Sequence, residues 1–484
     1  MTDQKYEIGM VGLGVMGRNL LLNMAEHGFA VTGYDKNPSR VETLQTEAEG
    51  RPIYGATKLT EFISALRSPR TIMMLVPAGS PVDSVIRDLL PHLQEGDLII
   101  DGGNSHFNDT DLRQRTMADR GLLYLGVGIS GGEDGARHGP SIMPGGPPEA
   151  YERVRPIFQA IAAHVDDTPC VTYLGPGAAG HYVKMVHNGI EYGLMQLIAE
   201  TYDLLKRGLD LSDDELHALY DQWNQTELRS YLLEITSAIF CQPDETSDKR
   251  LIDLILDQAD QKGTGMWTSQ SAMELNQPLL TIDVAVGMRN MSTLKEERQS
   301  AGEHLGGPSH HFSGDRSLFA SQLRNALYAA MVITFAQGMA LLHRASQEYR
   351  YNLPLAKVAR IWRGGCIIRA NLLDDIRAIY REQSNLPNLL LAPRMVQAIR
   401  DRQEDLRTMV HYATDLGLPA PGLMASLAYL DAFRSPWLPA NLIQAQRDYF
   451  GAHTYERVDK PRGEFFHTNW TGEGGDITAS TYNA

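Results

Sequence analysis

Glu7-Ile8-Gly9-Met10-Val11-Gly12-Leu13-Gly14-Val15-Met16-Gly17 sets the beginning of the fold: an apolar run enters a Gly-x-Gly-x-x-Gly turn, and an amphipathic stretch from Val15 to about His27 follows. Glycines at this spacing carry little weight alone in a chain with 44 of them. Between a strand and the first turn of a helix they carry more, because they let the backbone approach a pyrophosphate at a helix N-terminus. Gly12, Leu13, Gly14, Val15, Met16 and Gly17 are therefore expected to cradle a dinucleotide. The next apolar run closes on Gly33-Tyr34-Asp35-Lys36-Asn37, which places Asp35 where a carboxylate accepts hydrogen bonds from an adenosine ribose. A carboxylate there repels a 2′-phosphate, so NAD is the expected cofactor, with NADP admissible because Lys36 and Arg40 partly offset the repulsion.

Outward from this motif, short apolar runs alternate with turn residues and amphipathic stretches from Tyr6 to about Pro176, the pattern of strands and helices around a parallel sheet. After His181 the apolar spacing becomes helical over long segments, with capping signals such as Ser212-Asp213. The expected architecture is a Rossmann-type α/β dinucleotide-binding domain over residues 1–178, a large all-α domain over 179–440, and a C-terminal tail over 441–484. The helical part contains a weak repeat at an offset of about 137 to 140 positions. Asn188 to Arg207 lies over Asn325 to Arg344, and Trp223 over Trp362. Glu191 and Tyr192 of the first copy are matched by Tyr328 and Ala329, so chemistry is assigned to the first copy. The tail reads as polar, aromatic and Gly-rich, with little helical periodicity.

The 484 residues carry 44 basic and 59 acidic side chains, a net charge of −15, which argues against nucleic acid or an anionic membrane surface as the main partner. An anionic ligand then needs a local basic cluster. An apolar share of 43% is enough to fill cores. Cys170, Cys241 and Cys366 are odd in number and widely spaced, offering neither a disulfide framework nor a metal clip, so a reducing cytoplasm is expected and no metal. The N-terminus shows no secretory pattern. Ala326 to Leu342 is uncharged but falls short of the ~20 residues of a spanning helix, so a buried core or interface helix is expected.

Two stretches place small and polar residues at strand ends: Asp101-Gly102-Gly103-Asn104-Ser105, and Ile129-Ser130-Gly131-Gly132-Glu133. Ligands of open α/β sheets lie at such ends. Asn104 and Ser130 offer directional hydrogen bonds, and Gly131 and Gly132 offer backbone N–H groups to a carboxylate. Further on, Lys184, His187, Asn188 and Glu191 stand at i, i+3, i+4 and i+7, one face of a helix. Such a face is either a solvated stripe or the wall of a polar cleft. A cleft would let Lys184 serve as base and Glu191 as acid, provided burial depresses the lysine pKa. Lys262, Thr264, Arg289, Arg447 and His453 suit anion capture, yet nothing in their spacing groups them.

GLGVMG, LIIDGGNS, GISGGEDGARHGPSIMPGG, HYVKMVHNGIEYG, QKGTGMW, WRGGCIIR, LPANLIQAQRDYFGAHTYER and HTNW together resemble, end to end, the long-form decarboxylating 6-phosphogluconate dehydrogenases. The resemblance implies an oxidoreductase of the pentose phosphate shunt and gluconate utilization that oxidises 6-phosphogluconate at C3 with NAD or NADP. Loss of CO2 then gives ribulose 5-phosphate without a metal. It implies Lys184 as the base at the 3-hydroxyl and Glu191 as the acid that protonates C1 of the enediol. It places Asn104, Ser130, Gly131, Gly132, His187 and Asn188 at the carboxylate and hydroxyl end, and Tyr192, Lys262 and Arg289 at the phosphate. It also implies a homodimer in which Arg447 and His453 reach the neighbouring subunit's site. Asp35-Lys36-Asn37 stands where many NADP-using members have Asn-Arg-Thr, and Pro77 of Val76-Pro77-Ala78 stands where they have Lys, both favouring NAD. Two rivals remain: another β-hydroxyacid dehydrogenase of the 3-hydroxyisobutyrate type, which would not need Arg289, Arg447 and His453, and a non-catalytic dinucleotide-binding scaffold, which would not need Lys184 with Glu191.

Overall fold

The computed structural model describes residues 5–308 and 311–472. The short apolar runs become strands β1 (Ile8–Val11), β2 (Val31–Tyr34), β3 (Ile53–Ala56), β4 (Thr71–Met74), β5 (Leu98–Asp101), β6 (Leu123–Ser130) and β7 (Ser141–Gly145), in the sheet order β3-β2-β1-β4-β5-β6-β7. Alternate side chains feed two cores: Met10, Met73 and Ile100 on one face, Val11, Ile72 and Ile99 on the other. Six strands run parallel, as their spacing implies, but β7 is antiparallel to β6 from Gly126↔Gly145 to Ser130↔Ser141. The connection Gly131–Pro140 is shorter than the dozen or so residues a parallel crossover needs, so the chain turns back.

The Ala179–Asp203 helix packs on this sheet and leads into the helical part. Against it lies the Arg316–Glu348 helix, where a Cβ at Gly338 would stand 2.4 Å from Ile190. That helix contains the uncharged Ala326–Leu342 stretch, and all of the stretch is buried. The helix is long and apolar enough to cross a membrane by length and composition, but its apolar segment is core.

The repeat has a structural counterpart. In each copy a long helix is followed by a shorter one ending at a buried Trp (Trp223, Trp362), then by an extended residue and another helix (Tyr231–Cys241, Leu372–Glu382). The two extended residues, Ser230 and Ala370, meet in an antiparallel bridge, with Tyr231 N donating to Arg369 O at 3.0 Å and Asn371 N to Arg229 O at 2.9 Å. Equivalent positions of the two copies thus pair with each other.

Among the described residues, those from 428 onward form a second compact unit. Here one expectation is corrected, because the tail contains a 12-residue helix, Ala440–Gly451. Its large apolar side chains Leu442, Ile443, Tyr449 and Phe450 are exposed, so it has no inward-facing stripe of the kind periodicity detects.

Candidate active site

At the nucleotide end, Gly12 adopts φ +95°, and a Cβ there would stand 2.5 Å from Leu75 O. Only glycine satisfies both demands. The Val15–Glu26 helix begins at Gly14 with no side chain capping its first amides. Those amides are therefore free to face an anion. A cavity of about 470 Å³ adjoins this turn, lined by Gly12, Gly14, Asp35, Val76 and Pro77 among others. An open glycine turn beside a cavity of this size fits a dinucleotide. Leu13 and Gly17 are buried, whereas Val15, Lys36, Asn37, Pro77 and Ala78 are exposed and Met16 is half-buried.

Asp35, the residue expected to meet the ribose, also has partners within the protein. Its Oδ2 accepts from Leu13 N at 2.9 Å and from Arg40 Nη1 at 3.2 Å, and its Oδ1 accepts from Asn37 N at 2.8 Å. The carboxylate thus ties the end of β2 to the glycine turn. Lys36 is paired with Asp88 at 3.0 Å.

The helix that bears the candidate acid and base is seated on β6. At Gly128 a Cβ would stand 2.3 Å from Lys184 Cβ, so glycine is what lets the lysine pack here. Gly128→Ala is expected to cost about 1–3 kcal/mol of stability by overpacking and to lower kcat by shifting Lys184. Thermal unfolding and steady-state rates check this; wild-type values of both would show that the helix yields freely.

The face carrying Lys184, His187, Asn188 and Glu191 is turned inward, not a solvated stripe: Lys184 and His187 are buried, and Asn188 and Glu191 are half-buried. Lys184 is only 7% exposed, and its ammonium makes no hydrogen bond or ion pair among the described residues. Burial lowers its pKa, opposed by the nearby Glu191 carboxylate. Burial raises that of Glu191, opposed by Lys184 and Arg289. His187 is fully buried, and burial together with Lys184 pushes its pKa far down, leaving a neutral ring. Its Nδ1 meets Asn188 Oδ1 at 2.9 Å and its Nε2 meets Ser130 Oγ at 3.3 Å. Asn188 Nδ2 donates to Thr264 Oγ1 at 3.1 Å. The His187 proton therefore sits on Nδ1, and Nε2 accepts from Ser130. With a neutral ring, the 3.8 Å approach of Nδ1 to Glu191 is no ion pair.

One turn on, the Arg289 guanidinium stacks 3.6 Å over the Tyr192 ring, while its Nη1 donates to Asp260 O at 3.1 Å. Lys262 is exposed in the turn before the Thr264–Glu274 helix, and Asn104 is exposed after β5. Gly131 and Gly132 follow Ser130 with φ +121° and +64°. Arg447 and His453 lie in the second unit, where Arg447 Nη1 donates to Gln444 Oε1 at 3.1 Å.

The structure also brings in residues that the motifs left without a task. Asp101, buried at the end of β5, accepts from Gly103 N at 3.0 Å and Ser105 Oγ at 2.6 Å, so it shapes the turn that carries Asn104. His181 bridges Thr110 Oγ1 at 2.7 Å and Asp101 O at 3.1 Å, pinning the helix to that strand one turn before Lys184. Trp362 meets the His187 ring edge-on at 5.5 Å. Beside it, burial pushes the Cys366 thiol up to about 12, which makes it an inert packing group. Among the described residues no cluster of three or more His, Cys, Asp or Glu could hold a metal.

A glycine turn at a helix N-terminus and a buried lysine sharing one helix face with a half-buried carboxyl group define a dinucleotide-dependent dehydrogenase of hydroxy acids. Two family models match, described as the NAD binding domain of 6-phosphogluconate dehydrogenase (residues 7–175) and the 6-phosphogluconate dehydrogenase C-terminal domain (residues 180–470). The chain belongs to the 6-phosphogluconate dehydrogenase family. A decarboxylating 6-phosphogluconate dehydrogenase of Synechocystis is 53% identical over 96% of this chain and 98% of its own. An NADP(+)-dependent, decarboxylating one of Bacillus subtilis is 49% identical over 96% of this chain and 99% of its own. A Plasmodium falciparum 6-phosphogluconate dehydrogenase, solved in apo form and in complex with NADP+ and with 6-phosphogluconate, matches with a TM-score of 0.93 at 42% identity, covering 96% of this chain and 100% of that one.

Proposed function

We propose that the chain oxidises 6-phosphogluconate at C3 and decarboxylates the product to ribulose 5-phosphate, reducing a nicotinamide dinucleotide. The observation that carries this is the pair on one helix: Lys184 with its pKa lowered and Glu191 with its pKa raised, both chiefly by burial. Neutral Lys184 takes the proton of the 3-hydroxyl as the hydride leaves C3. The bound nicotinamide supplies the hydride acceptor. Lys184, now an ammonium, donates to the 3-keto oxygen, so the electrons of the breaking C1–C2 bond have a stabilised destination as CO2 departs. Glu191 then delivers a proton to the carbon that lost CO2.

Asn104, Ser130, Gly131, Gly132, His187 and Asn188 hold the carboxylate and hydroxyls. Tyr192, Lys262, Thr264 and Arg289 serve the phosphate end, joined by Arg447 and His453 from the partner subunit of a homodimer. Exposed apolar residues support that dimer: Leu254, Ile255 and Leu256 in the first unit, Leu442, Ile443 and Phe450 in the second. A cytoplasmic setting is part of the same proposal, supported by three unpaired cysteines. Purified protein supplied with 6-phosphogluconate and either NAD or NADP should yield reduced nicotinamide and CO2. No turnover with either dinucleotide overturns the reading.

Preference for NAD over NADP is the finer part of the proposal. Asp35 supports it, as does the engagement of Lys36 by Asp88. Against it stand the Bacillus subtilis relative, named NADP(+)-dependent, and the Plasmodium falciparum structure with NADP+. Asp35→Ser combined with Asn37→Arg is expected to move the ratio of kcat/KM values toward NADP by about tenfold or more, since it removes a carboxylate and adds a guanidinium. An unchanged ratio would remove Asp35 as the determinant.

A further inference from the structure

In the second unit one carboxylate gathers donors from two other segments. Asp448 is 0% exposed in the last turns of the Ala440–Gly451 helix. Its Oδ1 accepts from Thr454 N at 2.9 Å and His467 Nδ1 at 2.9 Å, and its Oδ2 from Thr468 N at 3.1 Å and Trp470 Nε1 at 2.8 Å. Each oxygen therefore meets two N–H groups, and the carboxylate has no capacity left for a ligand. Three of these donors come from the segment His467-Thr468-Asn469-Trp470.

The hub sits between two residues of interest, because Asp448 adjoins Arg447 and its donor Thr454 adjoins His453. The turn joining them is costly: Ala452 and Thr454 have φ +49° and +55°, the left-handed region that residues with a Cβ avoid. Surrounding hydrogen bonds must hold such a turn in place. The Asp448 backbone oxygen accepts from Ala452 N at 3.0 Å, and its side chain accepts from Thr454 N. Gln444 closes the same loop, accepting from Arg447 Nη1 and donating to His453 O at 3.4 Å.

We propose that Asp448 is the positioning residue for the tail's anion-binding pair, fixing the separation and direction of Arg447 and His453 so that both meet one phosphate. This rests on the reading that those two residues serve the substrate's phosphate in the partner's site. Two donors bind one phosphate tightly only if their spacing is set beforehand. The proton-transfer groups Lys184 and Glu191 are untouched, so the effect falls on substrate affinity rather than on chemistry.

The test uses the full-length dimer. Asp448→Asn keeps the shape but sets an NH2 group against two N–H donors. It is expected to raise KM for 6-phosphogluconate by about tenfold or more, with kcat within about threefold and the dinucleotide KM unchanged. Trp470→Phe, which removes one donor and keeps a ring, should give a smaller rise of the same kind. Arg447→Ala is measured alongside. If it raises KM and Asp448→Asn does not, the positioning role is wrong while the phosphate reading stands. If Arg447→Ala leaves KM unchanged, the phosphate reading fails and the proposal falls with it. In the Arg447→Ala, His453→Ala background, Asp448→Asn should add little to KM; the full penalty again would overturn the proposal. Should Asp448→Asn fail to assemble, Trp470→Phe decides: a rise in substrate KM alone supports the role, and no rise overturns it.

Discussion

Lys184→Met is expected to lower kcat by at least about 10³-fold while leaving dinucleotide affinity within about twofold. Methionine keeps an unbranched apolar stem against Gly128, where the lysine Cβ packs, so the helix should stay seated. What is lost is the amine. Burial depresses the Lys184 pKa, so the neutral amine needed to take the 3-hydroxyl proton is more abundant near neutrality than for an exposed lysine. On the proposed mechanism the same nitrogen then stabilises the 3-keto oxygen, so one substitution removes two successive contributions. Steady-state rates with 6-phosphogluconate and a fluorescence titration of the dinucleotide check both halves. Turnover within tenfold of wild type would take the base role from Lys184.

Glu191→Gln is expected to lower overall turnover by about 10²-fold and to change the shape of the pH profile. On the proposed mechanism the active pair is neutral Lys184 with protonated Glu191, and burial moves each pKa toward that state, lysine down and glutamic acid up. In the wild type kcat/KM should rise as Lys184 loses its proton and fall as Glu191 loses its own. Because the groups are coupled, the two apparent pKa values belong to the pair. The amide of the Glu191→Gln variant cannot ionise, so the falling alkaline limb should vanish and a single rising limb remain. A bell of unchanged width in the variant would assign the alkaline limb to another group.

The chemistry-bearing face was legible from the sequence because helical spacing is local: residues three and four apart share a face whatever packs against it. The glycine turn was legible for a similar reason, since an apolar run, three glycines and an amphipathic stretch lie within one short segment. Whether that face was a solvated stripe or turned inward was not legible. That depended on Gly128, whose missing Cβ admits the Lys184 stem, and on Ser130 and Thr264, which hold the His187–Asn188 pair from two other segments. The tail helix was missed because exposed Leu442, Ile443, Tyr449 and Phe450 produce no buried periodicity.

Spacing along the chain is therefore sufficient for the strands, the dinucleotide turn, the helical repeat and the grouping of Lys184, His187, Asn188 and Glu191 on one helix face. These follow from backbone geometry and from side chains close in sequence. The direction of β7, the burial that shifts Lys184 and Glu191, and the hub at Asp448 follow from contacts between segments far apart in the chain. A pKa depends on the dielectric and on the neighbours that folding supplies, and neither is written in the order of residues.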